Sequence, residues 1–130
     1  MRPRKRLVQE WVEKARHDFE TAERELHLHG WPDIICFHCQ QTVEKLLKAV
    51  LVSYDVDITR HRVHDLTHLL DVCVSHNRSL ASLRPACKQL TGYYIAARYP
   101  IGTQYSQEDA RRAVGAARKA VKLVLRVLER

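Results

Sequence analysis

Glycine and proline are scarce, with four of each in 130 residues. An all-β chain needs a turn about every 8–12 residues, so this scarcity argues against that class. No apolar run approaches the roughly 20 residues that cross a bilayer, which excludes a membrane-spanning helix. Residues 1–6 (MRPRKR) are charged, but no apolar stretch follows them. A secretory leader is therefore not expected, and a cytoplasmic location is. Internal repeats, linkers and low-complexity segments are also missing. What remains is one domain over residues 1–130 with a basic tail at 1–6. Its 45% hydrophobic and 28% charged residues suit a globular chain with a single core.

Cysteine is sparse and unevenly spaced, at Cys36, Cys39, Cys73 and Cys87. Without a leader a disulfide framework is not expected. Cys36 and Cys39 have the spacing of half a zinc site, but Cys73 and Cys87 stand alone, so all four read as core residues. His61, His64 and His68 invite a metal reading. The zinc-protease pattern needs Glu at position 65, however, and Asp65 stands there. That residue reads more simply as the start of a helix, near its positive end. No metal and no cofactor is expected.

What is present is helical periodicity from end to end. Trp11, Ala15, Phe19, Ala22 and Leu26 fall at three- and four-residue steps and predict a helix over 7–28. Pro32 suits the first turn of a second helix, over 32–54, whose apolar stripe is wide. A third is expected over 64–75. A fourth should start after Ser82, which keeps Pro85 in its first turn, and should end near Arg98, before Pro100. Ser106 and Asp109 have the spacing of a capping box for a fifth. The expected fold is all-α, an up-and-down helical bundle of four to five helices.

The net charge of +7 is not spread evenly. Residues 1–6 carry +4, residues 7–105 carry −1 and residues 106–130 carry +4. Basic ends on a balanced body suggest an anionic partner. On the fifth helix Arg111, Arg118 and Lys122 lie opposite the alanine-rich side and form a basic face that could track phosphates. The plain alternative is a solvated face and a frayed tail.

Four segments, in order, resemble the HEPN family of small helical domains. Trp11, Ala15, Asp18 and Ala22 form the first. Cys39 to Leu51 (CQQTVEKLLKAVL) is the most specific. His64-Asp65-Leu66 with Leu69-Leu70 is the third, and Tyr93 to Pro100 (YYIAARYP) the fourth. The resemblance implies a helical bundle that forms a homodimer and works beside a minimal nucleotidyltransferase in a toxin–antitoxin pair. It also raises metal-independent RNA cleavage, for which the family's ribonucleases use an Arg, then four to six intervening residues, then a His. After Arg98 those positions hold Thr103, Gln104 and Tyr105. Histidine suits proton transfer near neutrality, whereas tyrosine, with an ordinary pKa of about 10, does not.

Arg98 can still clamp a phosphate, with Tyr99 or Tyr105 stacking on a base. Gln41, Lys45 and Lys48 share one face of the second helix at i, i+4 and i+7, and Glu44 can pair with Lys48. They read either as a nucleotide or phosphate site or as a polar network inside the bundle. The expectation is a non-catalytic module that binds nucleotide or RNA. The alternative is a toxin ribonuclease with an atypical site around Arg98.

Overall fold

The computed structural model describes residues 2–61, 64–96, 99–100 and 104–129. Among them are α1 (Arg2–His27), α2 (Pro32–Ser53), α3 (Leu66–His76), α4 (Arg84–Leu90), α5 (Tyr93–Ala96) and α6 (Gln107–Leu128). Two 3-10 segments, Ile58–Arg60 and Arg78–Leu83, punctuate them, and no strand is present among the described residues. The all-α bundle expected from the periodicity is what forms.

Three boundaries differ from the expectations. α1 begins at Arg2, so the segment read as a tail is the start of a helix. Asp65 lies just outside α3 as its N-cap, accepting from the Thr67 N–H at 3.0 Å. The single helix expected from 83 to 98 is broken at Thr91–Gly92. Thr91 Oγ1 accepts the Leu66 N–H at 3.2 Å, capping α3 from outside, and Thr91 and Gly92 form a turn.

α1 and α2 form an antiparallel hairpin, since Asp18 reaches Lys45 and Trp11 lies under Lys48. The connection after α2 returns along the bundle, so α3 starts beside Gln40 and ends beside Tyr54. α4 runs back along α3, with Arg84 bonded to Asp71 at 2.8 Å. α6 is antiparallel to α1, joined by Gln107 to Gly30 at 2.9 Å and Arg118 to Glu23 at 2.8 Å. Its start is the expected capping box, Ser106 with Asp109.

α2 is the centre. Thirteen of its 22 residues are buried, which leaves little of its surface for water. All four cysteines are buried and free, and burial pushes the thiols of Cys36, Cys73 and Cys87 up to about 12. They are core residues, as their spacing suggested. α6 packs chiefly on α2, and Ala110, Ala113, Ala117 and Ala120 along its inner side are fully buried. A row of methyl groups lets two backbones approach closely. Ala117→Leu is expected to cost about 1–3 kcal/mol by overpacking, read as a lower urea midpoint at unchanged slope.

Candidate functional site

The polar residues of α2 do not face water. Glu44 is only 3% exposed, inside a bundle where a lone carboxylate would be costly. Three side chains satisfy it. Lys48 donates to Oε2 at 2.9 Å, and Gln40 Nε2 donates to Oε1 at 3.1 Å. His64, in the segment leading into α3, contacts Oε1 through Nδ1 at 3.0 Å. Gln40 also donates to the His64 carbonyl at 3.1 Å, so one side chain ties this segment to α2. Burial pushes the Glu44 carboxyl up, but the bonds from Lys48, His64 and Gln40 outweigh it and hold the group below its usual range.

A second cluster sits nearer the α1–α2 turn. Asp18 of α1 lies between His38 Nδ1 at 2.8 Å and Lys45 Nζ at 2.5 Å. Burial again opposes its charge, and the His38 and Lys45 bonds again win. An ionised carboxylate only accepts, so each imidazole donates from Nδ1, and its Nε2 lies on the side of the ring away from the carboxylate. Neither Nε2 has a hydrogen-bond partner among the described residues, and the side chains of His38 and His64 are 26% and 45% exposed. Aromatic rings link the clusters. His64 stacks on Tyr94 at 3.7 Å, Tyr94 lies 6.1 Å from Phe37, and Phe37 meets His38 edge-on at 5.7 Å. Two carboxylate-held imidazoles at the ends of an aromatic row can accept hydrogen bonds or move a proton.

The residues singled out in the sequence are therefore divided. Lys45 pairs with Asp18, Lys48 pairs with Glu44, and Gln41 Nε2 bonds to Gln40 at 2.8 Å. Lys45 thus ties α2 to α1, whereas the Lys48 and Gln41 bonds stay within α2. Arg98 and Thr103 lie outside the described residues. Tyr99 is exposed, whereas Tyr105 packs edge-on against Tyr93 at 4.9 Å. Burial, with the nearby Cys36, Asp109 and Asp33 adding to it, raises the Tyr105 phenol, which makes it a poorer base still. On α6, Arg111 bonds Glu108 and Arg118 bonds Glu23, while Lys122 has no ion pair among the described residues. His61 and His68 meet each other at 3.1 Å, whereas His64 turns to Glu44.

Sequence reasoning passed over Asp18 and His38 as functional groups. Asp18 stands in the first family-like segment, but its partners lie 20 and 27 residues away and nothing local pointed to them.

An all-α bundle whose central helix buries ion-paired polar groups, with helix 1 and the α3 entry supplying partners, is a defined class of small domain. The chain belongs to the HEPN domain family, which it matches over residues 8–127. It is 27% identical over 127 residues to "Putative toxin MJ1304" of Methanocaldococcus jannaschii, covering 88% of this chain and 83% of that protein. The crystal structure of TT1696 from Thermus thermophilus superposes with a TM-score of 0.74 at 26% identity, over 92% of this chain and 96% of that one. ST0689, an archaeal HEPN homologue, shares the fold with a TM-score of 0.71, over 90% and 93% of the two chains at 24% identity. No helix among the described residues is long and apolar enough to cross a membrane.

Proposed function

We propose that this chain is the HEPN component of a toxin–antitoxin-type pair, a homodimeric module that binds RNA or nucleotide phosphate and docks a minimal nucleotidyltransferase. The naming of its M. jannaschii relative as a toxin supports the first part. One observation carries the binding part. Lys5, Lys119, Lys122 and Arg126 have no ion pair with any described residue, and Lys5 lies beside the last turns of α6 along one groove. The two basic ends of the sequence thus lie side by side; Arg4 and Arg6 are paired with Asp55 and Glu10, and Glu13 and Glu129 share the groove, but the cations left over suit a polyanion.

The test is fluorescence anisotropy with a labelled single-stranded RNA in EDTA across a salt series. Wild-type affinity should fall steeply with salt. Lys119→Gln, Lys122→Gln and Arg126→Gln together should weaken binding and reduce the salt slope by about 2–3, since each lost phosphate contact contributes about 0.7–0.9. Stability should move by less than about 0.5 kcal/mol. Light scattering on the same sample should give twice the chain mass. A variant that binds as tightly as wild type at every salt concentration would sink the reading.

A second reading, metal-independent RNA cleavage, is favoured by the free Nε2 atoms of His38 and His64, which could serve where the family's usual histidine is missing. The same mixtures, run on denaturing gels, separate the two. The binding reading expects intact RNA. Fragments lost in His64→Ala or His38→Ala would establish the nuclease.

A further inference from the structure

Away from the α2 clusters, a cleft of about 510 Å³ separates the end of α1 from the first half of α6. That volume is ordinary for a small-ligand site, which runs from about 300 to 1,000 Å³. α1 and its following turn contribute Leu26, His27 and His29, and α6 contributes Arg111, Val114 and Arg118, at helical steps of three and four. Glu23 and Glu108 offset part of the charge, but they also fix the guanidiniums in place. Arg118 is bonded to Glu23 at 2.8 Å and lies 5.8 Å over the Phe19 ring, and Arg111 is bonded to Glu108. A guanidinium has five N–H donors, so each retains donors for an anion. Leu26 and Val114 give the cleft an apolar floor.

The turn itself is unusual. His29 has φ 58°, the left-handed region in which a helix normally ends on glycine or asparagine. Glycine is the very next residue, yet a bulky ring occupies the strained position. Neither the His27 ring nor the His29 ring has a hydrogen-bond partner among the described residues, and both residues are exposed. The turn is pinned from across the cleft by Gln107, whose Nε2 donates to the Gly30 carbonyl at 2.9 Å. That bond fixes the amide, leaving its buried Oε1 as an acceptor with no partner. The same turn displays Leu28 and Trp31, 65% and 76% exposed. Fixed guanidiniums, unpaired imidazoles and an exposed indole on one turn match an anion carried on a flat ring.

We propose that this cleft binds a phosphomonoester borne on a planar ring system, either a free nucleotide or the 5′-phosphate end of an RNA strand. Arg111 and Arg118 take the phosphate, His29 adds a further contact, and Trp31 carries the ring. The proposal rests on the phosphate-binding reading above, gives its nucleotide part a separate site and uses none of the residues tested there.

A Trp11→Phe background leaves Trp31 as the single indole, and its fluorescence is followed during titration. The probes are AMP, adenosine, inorganic phosphate, and one short RNA with either a 5′-phosphate or a 5′-hydroxyl. The phosphorylated member of a pair should bind about tenfold tighter or more, the size of one charge-assisted hydrogen bond. AMP over adenosine identifies a free nucleotide, and discrimination only between the RNA ends identifies a strand terminus. Arg111→Gln with Arg118→Gln should abolish the discrimination. His29→Gly should weaken binding while raising the melting temperature, because it relieves the strained turn. Lys119→Gln with Lys122→Gln and Arg126→Gln should leave the discrimination intact even if long-RNA binding is lost. Equal binding of phosphorylated and unphosphorylated probes, discrimination that survives Arg111→Gln/Arg118→Gln, or binding undiminished in His29→Gly overturns the proposal.

Discussion

Glu44→Ala should destabilise the protein by about 3 kcal/mol, the lower end of the 3–5 kcal/mol seen when a buried ion pair loses one partner. The lower end applies because the Lys48 side chain keeps 15% of its exposure and can swing toward water. The damage does not stop at Lys48. Gln40, fully buried, loses its acceptor on Glu44, and His64 loses the group that orients it. Urea unfolding of Glu44→Ala, Lys48→Ala and the double variant gives the coupling directly. The double variant should be far less unstable than the sum of the single ones, since it removes both charges. A Glu44→Ala cost below about 1 kcal/mol would mean that the carboxylate is not the hub of the cluster.

Acid should undo the same network. Asp18 and Glu44 both titrate below their ordinary values in the folded chain. Each therefore contributes stability that is fully present above its unfolded-state value, about 4, and is lost as the pH falls through the lowered folded-state value. The melting temperature should hold from neutrality to about pH 5 and then fall steeply below pH 4. Asp18→Asn and Glu44→Gln should each be less stable at neutral pH and show a shallower acid limb, because each removes one titrating group. Parallel acid limbs in wild type and both variants would show that other carboxylates drive the transition.

Much of the fold could be read from periodicity, because apolar residues on α1, α2 and α6 recur strictly. The break at Thr91 was hidden because Leu83, Cys87, Leu90 and Tyr94 keep helical spacing straight through it. At the break the Thr91 hydroxyl caps α3, 25 residues away, a contact that the spacing within one helix does not reveal. The site follows the same logic. Glu44 with Lys48 was legible, being four residues apart on one helix. Glu44 with His64, and Asp18 with His38 and Lys45, were not, because those meetings exist only once the hairpin has closed and the chain after α2 has turned back. The basic face split for a similar reason. Spacing put Arg111, Arg118 and Lys122 together, but the last turns of α1 lie against the first half of α6 and supply Glu23 to Arg118 alone.

The buried thiols give the molecule a built-in clock. A thiolate, not a thiol, reacts with alkylating reagents, and in the native state these groups are both shielded and held protonated. Any modification must wait for the surrounding helix to open. Two of the cysteines ride on α2, one on α3 and one on α4, while α1 and α6 carry none. The order in which they are labelled over time thus distinguishes a bundle that opens as a single cooperative unit from one in which the α3–α4 pair detaches while the α1–α2 hairpin stays closed.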